Sequence, residues 1–392
     1  MIIHLKLSLL AAAGSLLLNT SALAGESHYS MSDFYRVPKI DTHMHLHSTK
    51  PDFMREAERD NFRVLSINVD YADFPPLGDQ QRIAEFMLHA HPRTFAYAAT
   101  FPVDGYDQPG WQEKTIASLD RAVAHGAVAV KVWKNVGMAL RAADNSLVMI
   151  DDPRFKPVFD HLAEIHIPLL GHQGEPKNCW LPIAEMTVKN DQEYFAAHPQ
   201  YHMYLHPEMP SYEDQMRARD NMVAQHGNLQ FVGMHMASLE WSVDRIAAFL
   251  DRFPNANIDV AARLGQLQYQ AIRDPKKVRD FLIRYQDRIM YATDLEQDAD
   301  TAPENAAEAQ KAGACSTNPS CKSGGEFERD ARKTWLRDWK FFNTSAVIKV
   351  PELDTPVKGL ALPKRVIDKI YHLNAERQFP TAWQGSAVAS AK

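Results

Sequence analysis

Eight short apolar runs, each followed by a stretch with helical periodicity, constrain this chain more than any other feature. The runs are residues 39–47, 62–70, 94–101, 127–132, 167–172, 229–235, 257–262 and 288–293. Most are nearly continuous in apolar residues rather than alternating, the pattern of strands covered on both faces. Amphipathic segments at 80–90, 111–125, 153–165, 211–226, 241–253 and 276–285 separate them. Strands alternating with helices build βαβ units and a parallel sheet. Eight repeats predict an α/β fold of the (β/α)₈ barrel type, with an open doubly wound sheet as the alternative.

The length of 392 residues, with 45% hydrophobic and 23% charged content, suits one barrel-sized domain. Lys and Arg total 43 against 49 Asp and Glu, a net charge of −6 with no basic stripe, which excludes a nucleic-acid partner. No internal run reaches the roughly 18 apolar residues of a membrane span. A small-molecule substrate is the expected partner, with self-association left open. At the start, Lys6 closes a short positive region, residues 7–18 are apolar, and Ala22-Leu23-Ala24 has the form of a cleavage site. Residues 1–24 thus read as a signal peptide, residues 25–380 as the barrel domain and residues 381–392 as a flexible tail. Export to the periplasm or the exterior is the expected localisation.

Cys315 and Cys321 bracket a turn-rich Ser-Thr-Asn-Pro-Ser segment that could bring the two sulfurs together, although two unpaired thiols fit as well. A bridge over so short a loop would contribute about 2 kcal/mol. Two connections, 174–228 and 295–327, exceed the others. In a barrel both lie on the carboxyl-terminal face, where active sites are built, and such lengths predict lids or binding loops.

The chemistry concentrates at strand ends. In Asp41-Thr42-His43-Met44-His45, alternate side chains share a face, so His43 and His45 point together toward the barrel mouth. His172 closes the fifth run, His235 the sixth, and Asp294 follows the eighth. Burying these groups unpaired would be costly, whereas a shared cation compensates all of them. Imidazole and carboxylate donors suit zinc or a similar divalent ion. Asp294 could also take the proton of an attacking water.

This pattern resembles the amidohydrolase superfamily of metal-dependent barrel hydrolases. It is most similar to the amidohydrolase-related branch that includes aminocarboxymuconate semialdehyde decarboxylase and pyrone dicarboxylate lactonase. The closing segment 362–377, with its Asn374-Ala375-Glu376-Arg377 ending, is similar to that branch as well. The resemblance implies one divalent ion, zinc being expected, held by His43, His45, His172 and Asp294, with His235 as an acid/base or substrate group. Lys131 ends the fourth run, where binuclear members carry a carbamylated lysine. Here a single ion is favoured, with Lys131 paired to a carboxylate such as Glu175 or to an anionic substrate. Arg263 and Lys134 are candidates to hold a substrate carboxylate, and Glu175, Trp180 and Tyr71 candidates to line the pocket.

The implied activity is hydrolysis of a small ester, lactone or amide by a metal-activated water. Non-oxidative decarboxylation of a carboxylated substrate is the alternative, and a non-catalytic binding protein on the same barrel is a third reading.

Overall fold

The computed structural model describes residues 27–297, 321–322 and 325–385. The expected leader and Cys315 lie outside the described residues. All eight apolar runs form strands: β1 (Lys39–Leu46), β2 (Phe62–Ile67), β3 (Phe95–Thr100), β4 (Ala127–Val132), β5 (Leu169–Gly171), β6 (Phe231–Gly233), β7 (Ala256–Asp259) and β8 (Ile289–Met290). Each pairs in parallel with the next in chain order. The ring closes where the chain leaving β8 returns to β1. There Thr42 N–H donates to Tyr291 O at 3.1 Å, and Asp294 N–H donates to His43 O at 2.8 Å. Beyond the closure, β9 (Leu295–Gln297) runs parallel to β1, and β10 (Cys321–Lys322) adds to β9. The chain is the expected (β/α)₈ barrel.

Interior side chains form one apolar layer from successive strands, including Ile40, Leu65, Ala98, Leu170, Val232 and Met290. The pairing of β1 with β2 shifts register between Asp41 and Met44. That irregularity lets Ile40 face inward while Met44 and Leu46 join the shell between strands and helices. Asp41 meets the helix Glu326–Asn343, whose Trp335 indole donates to its Oδ2 at 3.0 Å while stacking on Phe62 at 4.0 Å. Helix starts carry the caps that their sequences supply. Ser211 Oγ accepts from Asp214 N–H at 3.2 Å, and Asp274 accepts from Lys277 N–H at 2.9 Å with Pro275 at the first helical position.

The long connection after β5 carries the helix Lys189–Ala197 and several short 3₁₀ turns around its own cluster of Cys179, Met186, Phe195 and Met203. One expectation needs correction: the expected tail begins too early, because Trp383 is buried and its indole donates to Val64 O at 3.1 Å. Ala375, Phe379, Ala382 and Trp383 extend the interior apolar layer. Among the described residues no helix is long and apolar enough to cross a membrane.

Candidate active site

His43 and His45 from β1, His172 after β5, His235 after β6 and Asp294 after β8 converge on one cavity of about 470 Å³ at the carboxyl-terminal mouth. His43 Nε2 lies 3.1 Å and His45 Nε2 3.3 Å from Asp294 Oδ1, and His235 Nδ1 lies 4.0 Å from Asp294 Oδ2. The His172 and His235 rings sit with centroids 4.0 Å apart. One ligand atom from each of His43, His235 and Asp294 falls within 4.8 Å of the other two, so these three form a group that could hold a metal ion.

Proton accounting tests whether a cation fits. A backbone carbonyl only accepts, so the Nδ1 atoms of His45 and His235 carry hydrogens donated to Ile67 O at 2.8 Å and Ala261 O at 3.0 Å. His43 Nδ1–H donates in the same way to Asp259 Oδ2 at 2.9 Å. A neutral imidazole has one such hydrogen, so in that form the Nε2 lone pairs of His43 and His45 face the carboxylate of Asp294 with no proton between them. Protonating His43, His172 and His235 is disfavoured: burial holds all three well below the usual imidazole range, and the Lys131 charge deepens this for His43 and His172. His43 Nε2 and His172 Nε2 are buried without a hydrogen-bond partner. Lone pairs crowded against an anionic oxygen repel unless a positive charge joins them. The donor set of imidazole nitrogens and one carboxylate fits a divalent ion such as zinc.

Lys131 also reaches this cavity. Its Nζ is buried without a hydrogen-bond partner, and burial lowers its pKa to about 8. The carboxylate anticipated for it, Glu175, instead pairs with Lys134. Both members of that pair line the cavity, as do Tyr71 and Arg263, whose Nε is buried without a partner. Trp180 does not line it. Its indole donates to Pro210 O at 3.2 Å, and its ring packs edge-on against Tyr212, so it anchors the connection after β5 from behind.

Asp259 escaped the sequence reading. It ends β7 fully buried, accepting from His43 with Oδ2 and from His235 N–H with Oδ1 at 2.6 Å. The available signal was an acidic residue inside the apolar run Ile258-Asp259-Val260-Ala261, aligned with the other strand ends. Asp191, Tyr194 and Tyr201, which line the cavity from the connection after β5, carried no comparable signal.

Residues 40–381 match the amidohydrolase family model. The chain belongs to the amidohydrolase family. Among curated proteins no match is found. Among solved structures, this amidohydrolase is similar to 2,6-dihydroxybenzoate decarboxylase from Rhizobium, at 15% identity and a TM-score of 0.47 over 88% of this chain and 99% of that one. It is similar to an uncharacterised TIM-barrel protein from Bordetella bronchiseptica, at 14% identity and 0.46 over 88% and 99%. A third likeness is to 4-oxalomesaconate hydratase from Rhodopseudomonas palustris, at 13% identity and 0.43 over 84% and 78%.

Proposed function

We propose that this chain is a metal-dependent hydrolase of a small anionic ester, lactone or amide. Its ion, zinc by expectation, would be held by His43, His45, His172 and Asp294. The observation that carries this reading is the convergence of imidazole lone pairs on the Asp294 carboxylate without a proton to share. The partnerless Nε2 of His172 supports its place in the set. A divalent ion there supplies charge that polarises a carbonyl and brings the pKa of water to about 7.

Asp294 takes the proton of the attacking water as the water oxygen bonds to the carbonyl carbon. His235 donates its Nδ1 hydrogen to Ala261 O, so its Nε2 begins as an acceptor. It therefore takes at Nε2 the proton that Asp294 has accepted and passes it to the departing oxygen or nitrogen as the carbonyl bond to that atom breaks, and does not start as a donor to the oxyanion. Arg263 and Lys134 supply positive charge, and Tyr71, Trp133 and Tyr194 supply flat apolar surface. That combination suits a carboxylated, planar substrate.

Decarboxylation is the second reading, favoured by one observation. The partnerless Lys131 ammonium lies beside the imidazoles, where it could hold the carboxylate about to leave. In that case the bond to the carboxyl carbon breaks, carbon dioxide leaves, and a proton taken from water by Asp294 passes through His235 Nε2 to the remaining carbon. We also infer from the composition of residues 1–24 that the enzyme acts in the periplasm or outside the cell.

Elemental analysis of purified protein, together with a screen of lactones, esters and carboxylated aromatics, tests the reading. His43→Ala should lose both ion and turnover while remaining folded by circular dichroism. Full activity in metal-free protein would refute it. Carbon dioxide as the product would select decarboxylation.

A further inference from the structure

Directly after β6 the chain makes a turn that L-residues avoid. His235, Met236, Ala237 and Ser238 take φ of 56°, 58°, 56° and 54° in succession. Two backbone bonds close this left-handed turn, Ser238 N–H to His235 O and Leu239 N–H to Met236 O, each at 3.1 Å. None of the residues is glycine, and all are buried. In left-handed backbone the Cβ crowds the following carbonyl, so ordinary residues visit it singly. A run persists only where its surroundings over-determine it.

The surroundings here are specific side chains. At the first residue, Asp259 Oδ1 accepts His235 N–H at 2.6 Å. At the far end, Arg219 donates to Ala237 O, and the Tyr212 hydroxyl donates to Ser238 O at 2.6 Å, both from the helix Tyr212–Gln225. Ser238 Oγ donates to Gln173 O at 2.9 Å, tying the turn to the residue that follows His172. Close packing leaves no slack on the inner side, since a Cβ at Gly233 would stand 2.5 Å from that of Ala237.

We propose that this braced left-handed turn sets the geometry of the metal site, with Asp259 as the positioning residue that couples its two halves. One carboxylate oxygen fixes the His43 ring so that its Nε2 lone pair faces the cavity, and the other pins the start of the turn that carries His235. Arg219 and Tyr212 hold the opposite end, and neither lines the cavity. This inference rests on the metal reading above only for its effect on affinity. Its structural half, that Asp259 dictates the state of two histidines, stands without a metal.

The test uses the full mature chain with ¹⁵N-labelled histidine, examined by NMR without metal and with zinc, alongside zinc affinity by calorimetry. Asp259→Asn preserves shape but leaves one acceptor where the carboxylate had two. Either the His43 ring must change tautomer or the His235 amide must lose its acceptor, so one of those two signals should move in the metal-free protein. Zinc affinity should fall about 10- to 100-fold, the usual effect of losing a partner behind a metal-ligating histidine. Tyr212→Phe removes the brace on Ser238 O, together with the acceptor of the Trp241 indole at 2.9 Å, without opening a cavity. It should shift the His235 amide and, through the Ser238 bond to Gln173 beside the ligand His172, weaken zinc several-fold, with the thermal transition still cooperative, and this variant decides the matter if Asp259→Asn does not fold. Unchanged histidine signals in the folded variants would overturn the proposal. If the signals move while the wild type takes up no zinc, the metal reading fails and the positioning role stands.

Discussion

Glu240 lies against the connection after β5 with 1% of its surface exposed. Its Oε1 accepts Lys177 N–H at 2.8 Å, while Oε2 is buried without a hydrogen-bond partner. Burial raises its pKa from 4.5 to about 7, with Arg263 opposing the rise. A raised folded-state pKa means that the native protein binds this proton more tightly than the unfolded chain does. The associated stability is therefore fully present below about pH 4.5 and is lost as pH climbs through about 7. At about 1.4 kcal/mol per unit, the native state at pH 8 carries a penalty on the order of 3 kcal/mol. Glu240→Gln keeps the acceptor for Lys177 and mimics the protonated acid at every pH. Urea unfolding followed by tryptophan fluorescence should show the variant close to wild type near pH 5 and more stable by about 1–3 kcal/mol near pH 8. A variant that gains nothing between these pH values would refute the claim that Glu240 is a desolvated charge at neutral pH.

Three further outcomes are expected. Asp294→Asn should lower kcat by about 10²- to 10⁴-fold, the scale of a lost general base, with part of the metal retained; steady-state kinetics within threefold of wild type would remove Asp294 from that role. Trp335→Phe keeps much of the stack on Phe62 but takes the indole donor from buried Asp41, and should cost about 1–3 kcal/mol in urea unfolding. Intact-mass analysis of protein taken from its native compartment should place the amino terminus at Gly25 and show Cys315 bonded to Cys321; a retained leader or two free thiols would contradict export.

The strand framework was legible because buried parallel strands leave continuous apolar runs, and His43-Met44-His45 stood out because period two places both rings on one face. The ends of those runs also located His172, His235 and Asp294 at the same mouth. Other elements left weaker traces. The helices Leu264–Arg273 and Glu326–Asn343 went unread, although the second buries Trp335, Trp339, Phe341 and Phe342 against the barrel. Trp180 looked like a pocket wall because an aromatic in a long connection suggests one, yet its indole is spent on Pro210 O. Pairing among cations and carboxylates was not readable at all: Glu175 sits within reach of two lysines in sequence terms, and only the fold shows that Lys134 takes it. Four successive left-handed residues at 235–238 have no compositional signature, since none is glycine.

Phe379, Ala382 and Trp383 pack against Leu65, Ala96 and their neighbours inside the ring, so the floor of the barrel is laid by residues far downstream of the strands they seal. β1, close to the start of the described chain, meanwhile waits for β9 and for residues 291–294 to complete its second edge. A chain synthesised only as far as β8 therefore holds an unfinished cylinder, open along one seam and at its base, and cleavage just before Phe379 would remove the side chains that plug that base.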